Sequence, residues 1–418
     1  MLPVAPSAPP RLSGARWLER AETQAVFAAL AAQGFAARAV GGAVRDALMG
    51  RTVVDVDIAT TAHPEEVMRA VRAAGLGAVP TGMAHGTVTV HANHVSYEVT
   101  TLREDVETHG RHATVAFTGD WAADARRRDF TMNALYCSAE GEVLDPLEGY
   151  PDLVARRVRF IGEARARIRE DYLRILRFFR QSADYGEGPP DAEGLAACVA
   201  ERAGLALLSG ERVRQEMLRL LVATRGPELA RAMFDHGLIT LVLGVAPRPT
   251  LLEALARLET ALGSTPDAML RLAALAVEVV DDAERLRHRL RFSNDECARL
   301  ARAAERTPGL DPAAPEPAAR TYLYAEGEAA FRERVLIAWA RSGDAPDSPA
   351  WRGRLALPER WQPPRFPIGG ADVMAAGVSA GPRLGEILRA LEAWWIDGDF
   401  SADAAALRTK LAEMATQA

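Results

Sequence analysis

Apolar and polar positions follow two different periods along this chain, and the change falls near residue 162. Residues 15–32 repeat at the helical period and stop at Gly34. Short strand-like runs follow at 35–40, 54–59, 87–91 and 95–101, separated by a helical stretch at 63–74 that opens on Pro64 with Glu65 and Glu66 in its first turn. Residues 103–114 are polar, contain a glycine and lack apolar periodicity, which predicts a mobile loop. Beyond residue 162 strand-like runs cease and Ala/Leu/Arg helical patterns continue to the end. Breaks fall at Glu187-Gly188-Pro189-Pro190, 307–317 and 344–367, and no fixed-period repeat is present. The pattern predicts an α/β N-terminal head, a small mixed sheet with helices, followed by an all-helical remainder.

Composition changes this picture little. The 418 residues are 25% charged with a net charge of −6, so any nucleic-acid binding must come from a local basic surface. Lys410 is the only lysine, and the basic charge is almost all arginine. Cys137, Cys198 and Cys297 are far apart and form no C-x-x-C pair, which argues against a disulfide framework or a zinc site and for a reducing, cytoplasmic setting. The opening MLPVAPSAPPRLSG lacks the apolar core of a signal peptide, and no run is long and uncharged enough to span a bilayer.

Candidate chemistry begins at Val40-Gly41-Gly42-Ala43-Val44-Arg45-Asp46. A glycine pair between a strand and a helix lets backbone N–H groups approach a phosphate, and Arg45 can add a charged fork; the plainer reading is a tight turn. Asp55 and Asp57 follow, two residues apart in an apolar run, so on a strand both carboxylates share one face. Like charges this close call for a cation, and oxygen ligands beside a phosphate-type turn favour Mg²⁺. Glu98 in the 95–101 run is either a third carboxylate or a solvent-facing glutamate. None of the eight histidines forms a helical H-x-x-x-H pair.

Two arginine clusters come next. Arg126, Arg127 and Arg128 precede Asp129-Phe130-Thr131; charge runs of this kind are usually solvated, but this one closes the α/β region. Asp171, Arg174, Arg177 and Arg180 recur every third residue with Leu and Phe between them, an amphipathic helix whose adjacent charged members can share a target. An Asp–Arg pair can accept from a base amino group and donate to the neighbouring ring nitrogen. That pattern fits cytosine and adenine and opposes uracil and guanine.

Taken together, VGGAVRD (40–46), DVD (55–57), RRRDFTMNALY (126–136), DPLEGYPDL (145–153) and EDYLRILRFFR (170–180) resemble the class II CCA-adding tRNA nucleotidyltransferases and bacterial poly(A) polymerases of the DNA polymerase beta superfamily. The resemblance covers roughly the first 185 residues, with a looser likeness at 367–395. It implies a nucleotidyltransferase head at 1–160, a helical neck at 161–225, a body at 226–345 and a tRNA-binding tail at 346–418. It further implies that Asp55 and Asp57 hold two Mg²⁺, that Gly42 and Arg45 bind the incoming triphosphate, and that Arg128 contacts the nucleotide. Asp171 and Arg174 would read the base edge, while Arg177 and Arg180 close the pocket and bind phosphate. The implied reaction is attack of a tRNA 3′-hydroxyl on CTP or ATP with release of pyrophosphate, and no protein partner is implied. The alternatives are a poly(A) polymerase and, from another class, a catalytically inactive RNA- or nucleotide-binding protein.

Overall fold

The computed structural model describes residues 8–109 and 112–416, and the chain divides into two compact units, Met1–Gly244 with Arg289–Arg291, and Val245–His288 with Phe292–Ala418.

The first unit opens with helix α1 (Ala21–Ala31), shorter than the 15–32 pattern because residues 13–18 form turns that bury Trp17 and Leu18. Strand β1 (Ala37–Val40), helix α2 (Gly42–Leu48), strand β2 (Asp57–Thr60) and helix α3 (Pro64–Ala73) follow. Pro64 occupies the first turn of α3 and the Glu66 carboxylate accepts from the His63 N–H at 2.8 Å, so the helix starts where the sequence placed it. Strands β3 (Gly77–Gly82), β4 (Thr87–Ala92) and β5 (Val95–Thr101) complete one wing of a seven-stranded mixed sheet. Strands β8 (Tyr136–Cys137) and β9 (Val143–Leu144) form the other, giving the order β3-β4-β5-β2-β1-β8-β9. Strand β2 is parallel to β5 and antiparallel to β1, which puts the acidic strand at the centre of the sheet.

Three expectations change here. The strand expected at 54–59 begins only at Asp57, leaving Val54 exposed and Asp55 ahead of the ladder. Strand β3 carries glycines and a proline, which conceal it in the sequence; an edge strand tolerates Pro80 because one side of its backbone needs no partner. The polar segment expected to be a mobile loop is, in its described residues, two antiparallel strands, β6 (Arg103–His109) and β7 (His112–Phe117). They pair only with each other, so backbone hydrogen bonds form without the apolar face that periodicity detects. Residues 110 and 111 lie outside the described residues.

Helices α4 (Trp121–Arg126) and α5 (Gly149–Val154) flank the short strands, and from residue 164 the unit is helical: α6 (Ala164–Glu170), α7 (Leu173–Tyr185), α8 (Ala192–Ala200), α9 (Gly210–Val222), α10 (Gly226–Asp235) and α11 (Leu238–Leu243). A buried aromatic cluster locks α7 against the sheet region. Phe178 stacks on Phe160 at 5.4 Å and 16°, and Phe160 packs on Phe130 at 4.9 Å. The apolar face of α7 thus fixes which way its arginines point.

The second unit contains α12 (Pro249–Leu262), α13 (Ala268–Ala276), most of α14 (Val280–Leu290), α15 (Asn294–Arg302), and α16 (Glu316–Ser342), which breaks at Gly327 with φ +81°. Short helices α17 (Pro349–Leu355) and α18 (Leu357–Arg360) lead to α19 (Gly370–Ala375), α20 (Pro382–Asp397) and α21 (Ala404–Thr416). One core centres on Trp339, whose ring stacks on Trp351 at 6.0 Å and 7°; a second gathers Ile368, Leu391, Trp395 and Leu411. Among the described residues no helix is long and apolar enough to cross a membrane.

The aromatic lock yields a first prediction. Phe178→Ala removes a fully buried ring and is expected to cost about 3–5 kcal/mol of stability. Urea unfolding checks it, and a loss below about 1 kcal/mol would mean the cluster does not hold α7.

Candidate active site

Gly41 joins β1 to α2 at φ 70° and ψ −120°, a conformation open to glycine, and its N–H donates to Leu135 O at 3.1 Å. A Cβ at Gly41 would lie 3.6 Å from the Arg128 guanidinium, so the turn and that arginine are neighbours. Gly42 is the first residue of α2, and Arg45, one turn later, is largely buried. The Arg45 fork donates to Asn133 Oδ1 at 2.7 Å, Tyr185 Oη at 2.6 Å and Asp46 Oδ1 at 2.9 Å, and it lies 3.8 Å from the centre of the Tyr185 ring.

Asp57 begins β2 in register with Glu98 of β5, and its side chain opens on a cavity of about 490 Å³. Burial and the Glu98 carboxylate raise the Asp57 pKa above the ordinary range, with Asp55 adding to the effect and Arg128 opposing it. Asp55, just before the strand, is exposed and is not part of the cavity wall. Asp57 and Glu98 are thus neighbouring carboxylates on adjacent strands, and oxygen donors of this kind suit a hard divalent ion, but among the described residues no three acidic, histidine or cysteine side chains are gathered as a metal-holding group.

The arginines are aimed by buried acids. Asp124 on α4 accepts from Arg127 Nε at 2.8 Å, Arg128 Nη2 at 3.1 Å and the Tyr136 hydroxyl at 2.7 Å. Although burial alone would raise its pKa, Arg128 and Arg127 outweigh that and lower it. Asp129 accepts from Arg177 Nε at 2.8 Å and Asn133 Nδ2 at 3.0 Å. Burial acts against its charge, but Arg177 and these hydrogen bonds bring its pKa down to about 2.

At the head of α7, Asp171 and Arg174 both line the cavity, yet neither is paired with the other. Asp171 is held by Arg212 of α9 through two contacts, at 2.6 and 3.2 Å, and accepts from Leu173 N at 3.1 Å. Arg174 donates to Glu170 Oε2 at 2.5 Å and Arg167 O at 2.7 Å. Arg177 lines the cavity beside Asp129. Arg180 does not reach it; it is buried against Glu216 at 2.6 Å and Asp184 at 3.4 Å. Of the sequence candidates, Gly42, Arg45, Asp57, Arg128, Asp171, Arg174 and Arg177 converge on one cavity, and Asp55 and Arg180 lie outside its wall.

Six arginines line this space against three aspartates, a local positive surplus in a chain of net charge −6. Sequence reasoning passed over Asp124, Asp129, Glu170, Arg212 and Glu216. Asp129 and Glu170 stood inside quoted motifs, but their task as clamps is visible only from distances; Arg212 and Glu216 arrive from a separate helix and carried no signal.

A central acidic strand, an adjoining glycine turn and a wall of arginines on a small mixed sheet define a nucleotidyltransferase. A model described as the poly(A) polymerase head domain matches residues 37–159. The mouse mitochondrial CCA tRNA nucleotidyltransferase 1 is 36% identical over 375 residues, covering 86% of this chain and 82% of its own length. The CCA-adding enzyme of Geobacillus kaustophilus (strain HTA426) is 33% identical over 367 residues, covering 86% and 88%. The crystal structure of the Bacillus stearothermophilus CCA-adding enzyme in complex with CTP superposes with a TM-score of 0.72 at 29% identity, covering 95% of this chain and 97% of that one. The chain belongs to the CCA-adding tRNA nucleotidyltransferase family.

The clamp on Arg177 has a pH signature. Because the Asp129 pKa is lower in the folded protein than in the unfolded chain, its contribution to stability is complete above the ordinary value of 3.8 and is lost as pH falls through about 2. Asp129→Asn should therefore destabilise by on the order of 2 kcal/mol at neutral pH, with the gap to the parent closing between pH 4 and 2. Unfolding curves across that range test this; a gap independent of pH would assign the effect to packing instead.

Proposed function

We propose that this chain adds CCA to the 3′ end of tRNA from CTP and ATP, without a nucleic-acid template. The observation that carries the reading is the convergence of Asp171, just before α7, and Arg174, in its first turn, with Asp57 and the Gly41 turn around one cavity. Base recognition and phosphate chemistry then occur in the same space, which is what selection by protein side chains requires. The full-length relatives named above favour CCA addition over poly(A) synthesis, since the likeness extends through the helical remainder as well as the head.

The residues divide the work by chemistry. Arg45 and Arg128, on either side of the Gly41 turn, neutralise triphosphate oxygens. Arg177, fixed by Asp129, adds charge at the base of α7. Asp171 keeps acceptor capacity beyond its Arg212 contacts, so it can take a proton donor from the amino group of cytosine or adenine, and Arg174 donates to the adjacent ring nitrogen. Uracil and guanine present the reverse polarity and would leave both groups unpaired. Asp55 and Asp57 would hold Mg²⁺, which when bound favours the ionised 3′-oxygen and offsets charge on the departing pyrophosphate. Arg180, engaged with Glu216 and Asp184, supports α7 in this arrangement, and a phosphate contact would require it to leave them. We read 1–160, 161–225, 226–345 and 346–418 as head, neck, body and tail, with the tail engaging tRNA. Three buried, unpaired cysteines support a reducing compartment such as the cytoplasm.

The deciding experiment offers purified protein a tRNA ending at the discriminator base together with each labelled nucleotide. CCA products are expected; A-only tails on generic RNA would instead establish a poly(A) polymerase. In the same assay Asp55→Ala and Asp57→Ala should abolish transfer while tRNA binding persists, and near-normal turnover in either variant would remove these aspartates from the chemistry. Asp171→Ala and Arg174→Ala should each lower kcat/KM for CTP and ATP roughly ten- to a hundredfold and narrow the gap to UTP and GTP. Steady-state kinetics with all four nucleotides measures both effects, and full retention of discrimination would place base reading elsewhere.

A further inference from the structure

The second unit holds a group of guanidinium charges that line a cavity of their own. Where α15 ends, the chain turns through a short 3₁₀ segment, Pro308–Leu310, and packs against the C-terminal half of α16, lining an open cavity of about 260 Å³. Arg306, Arg334 and Arg341 contribute to its wall, with Thr307 beside them and the buried ring of Trp351 on an apolar side.

Each of these arginines is held in place, but their charges are poorly compensated. Arg334 is 3% exposed and donates to Ala303 O at 3.2 Å, to Glu305 O and to Thr307 Oγ1 at 3.1 Å. Arg341 donates to Ala303 O at 2.8 Å. Among the described residues neither has a carboxylate within ion-pair distance. Carbonyl oxygens satisfy N–H donors without cancelling a net charge, so this arrangement fixes the forks and leaves the positive field in place. Arg306 shares its acid with Arg248, outside the wall: Glu278 meets Arg248 through one oxygen and Arg306, at 2.6 Å, through the other, while Asp282 also acts on Arg248. The acids of the wall, Glu305 and Asp311, are exposed; Glu305 acts on Arg334 only at a distance, and Asp311 Oδ1 accepts from Ala313 N at 2.8 Å. The crowding is felt by the cations themselves. Burial, with Arg334 and Arg306 alongside, pushes Arg341 down to about 10, and burial with Arg341 nearby does the same to Arg248.

We propose that this cavity binds a phosphoryl group, carried either by an RNA backbone or by a free phosphate. A tetrahedral oxyanion is the simplest species that restores neutrality while accepting from several forks at once, and the Thr307 hydroxyl adds a neutral polar group beside them. The volume admits one phosphate with room for part of what bears it.

Equilibrium dialysis of the full chain against labelled inorganic phosphate provides the first arm. Arg341→Gln keeps a donor for Ala303 O while deleting the charge, and exposed Arg306→Ala spares the core, so both should fold. The parent is expected to bind one more phosphate per chain than Arg341→Gln, and Arg306→Ala to weaken that site about three- to tenfold. The second arm measures tRNA binding across a salt series. If RNA supplies the group, Arg341→Gln weakens binding and reduces the salt slope by about one. If free phosphate supplies it, tRNA binding is unchanged while the phosphate difference persists. Equal phosphate stoichiometry together with an unchanged tRNA slope would overturn the proposal.

Discussion

Holding many like charges around one small space is the physical problem on which the rest of the first unit depends. Six guanidiniums facing a cavity of about 490 Å³ would repel one another and drift unless each were tethered. Carboxylates tether four of them: Asp124, behind the wall, holds Arg127 and Arg128; Asp129, in the wall, and Glu216, behind it, hold Arg177; and Glu170 holds Arg174. Because these acids are buried or half-buried, each pairing is strong enough to orient a fork, yet the outward N–H groups keep their reach. Preorganised charge of this kind needs no further reorganisation to meet an anion, which is why such charge can stabilise a transition state better than solvent can.

The same tethers connect elements far apart in sequence. Arg45 donates to Asn133, Asn133 to Asp129, and Asp129 accepts from Arg177, which approaches Glu216, itself the acceptor for Arg180. This chain runs from the glycine turn through the sheet region to α7 and α9. Beside it the packed rings of Phe130, Phe160 and Phe178 supply the apolar half of the same contact. The groups proposed to bind phosphate and those proposed to read the base are therefore held by one continuous piece of structure, and a shift of α7 would disturb both.

The second unit uses arginine differently. Arg334 and Arg341 donate to backbone carbonyls of the segment after α15, and Arg354 does so to Asp311 O, Pro312 O and Ala314 O. A loop that could not satisfy its carbonyls within a helix is secured by side-chain donors instead. That solution stiffens the loop but leaves charge uncompensated, in contrast to the carboxylate tethers of the first unit. An arginine-rich composition thus produces two opposite electrostatic situations, depending on what lies behind each fork.

The sequence by itself determined the division into an α/β start and a helical remainder, because periods of two and 3.6 residues are local properties. It also singled out Gly42, Arg45, Asp57, Arg128, Asp171, Arg174 and Arg177, which the structure brings to the wall of one cavity. Partnerships were decided only by the tertiary structure. Asp171 meets Arg212 rather than Arg174, and Arg180 turns to Glu216 instead of the cavity. The polar segment after Leu102 pairs with itself as strands. In each case a partner distant in the chain, or a backbone ladder without an apolar face, supplied the deciding free energy, and neither leaves a periodic trace in the order of residues.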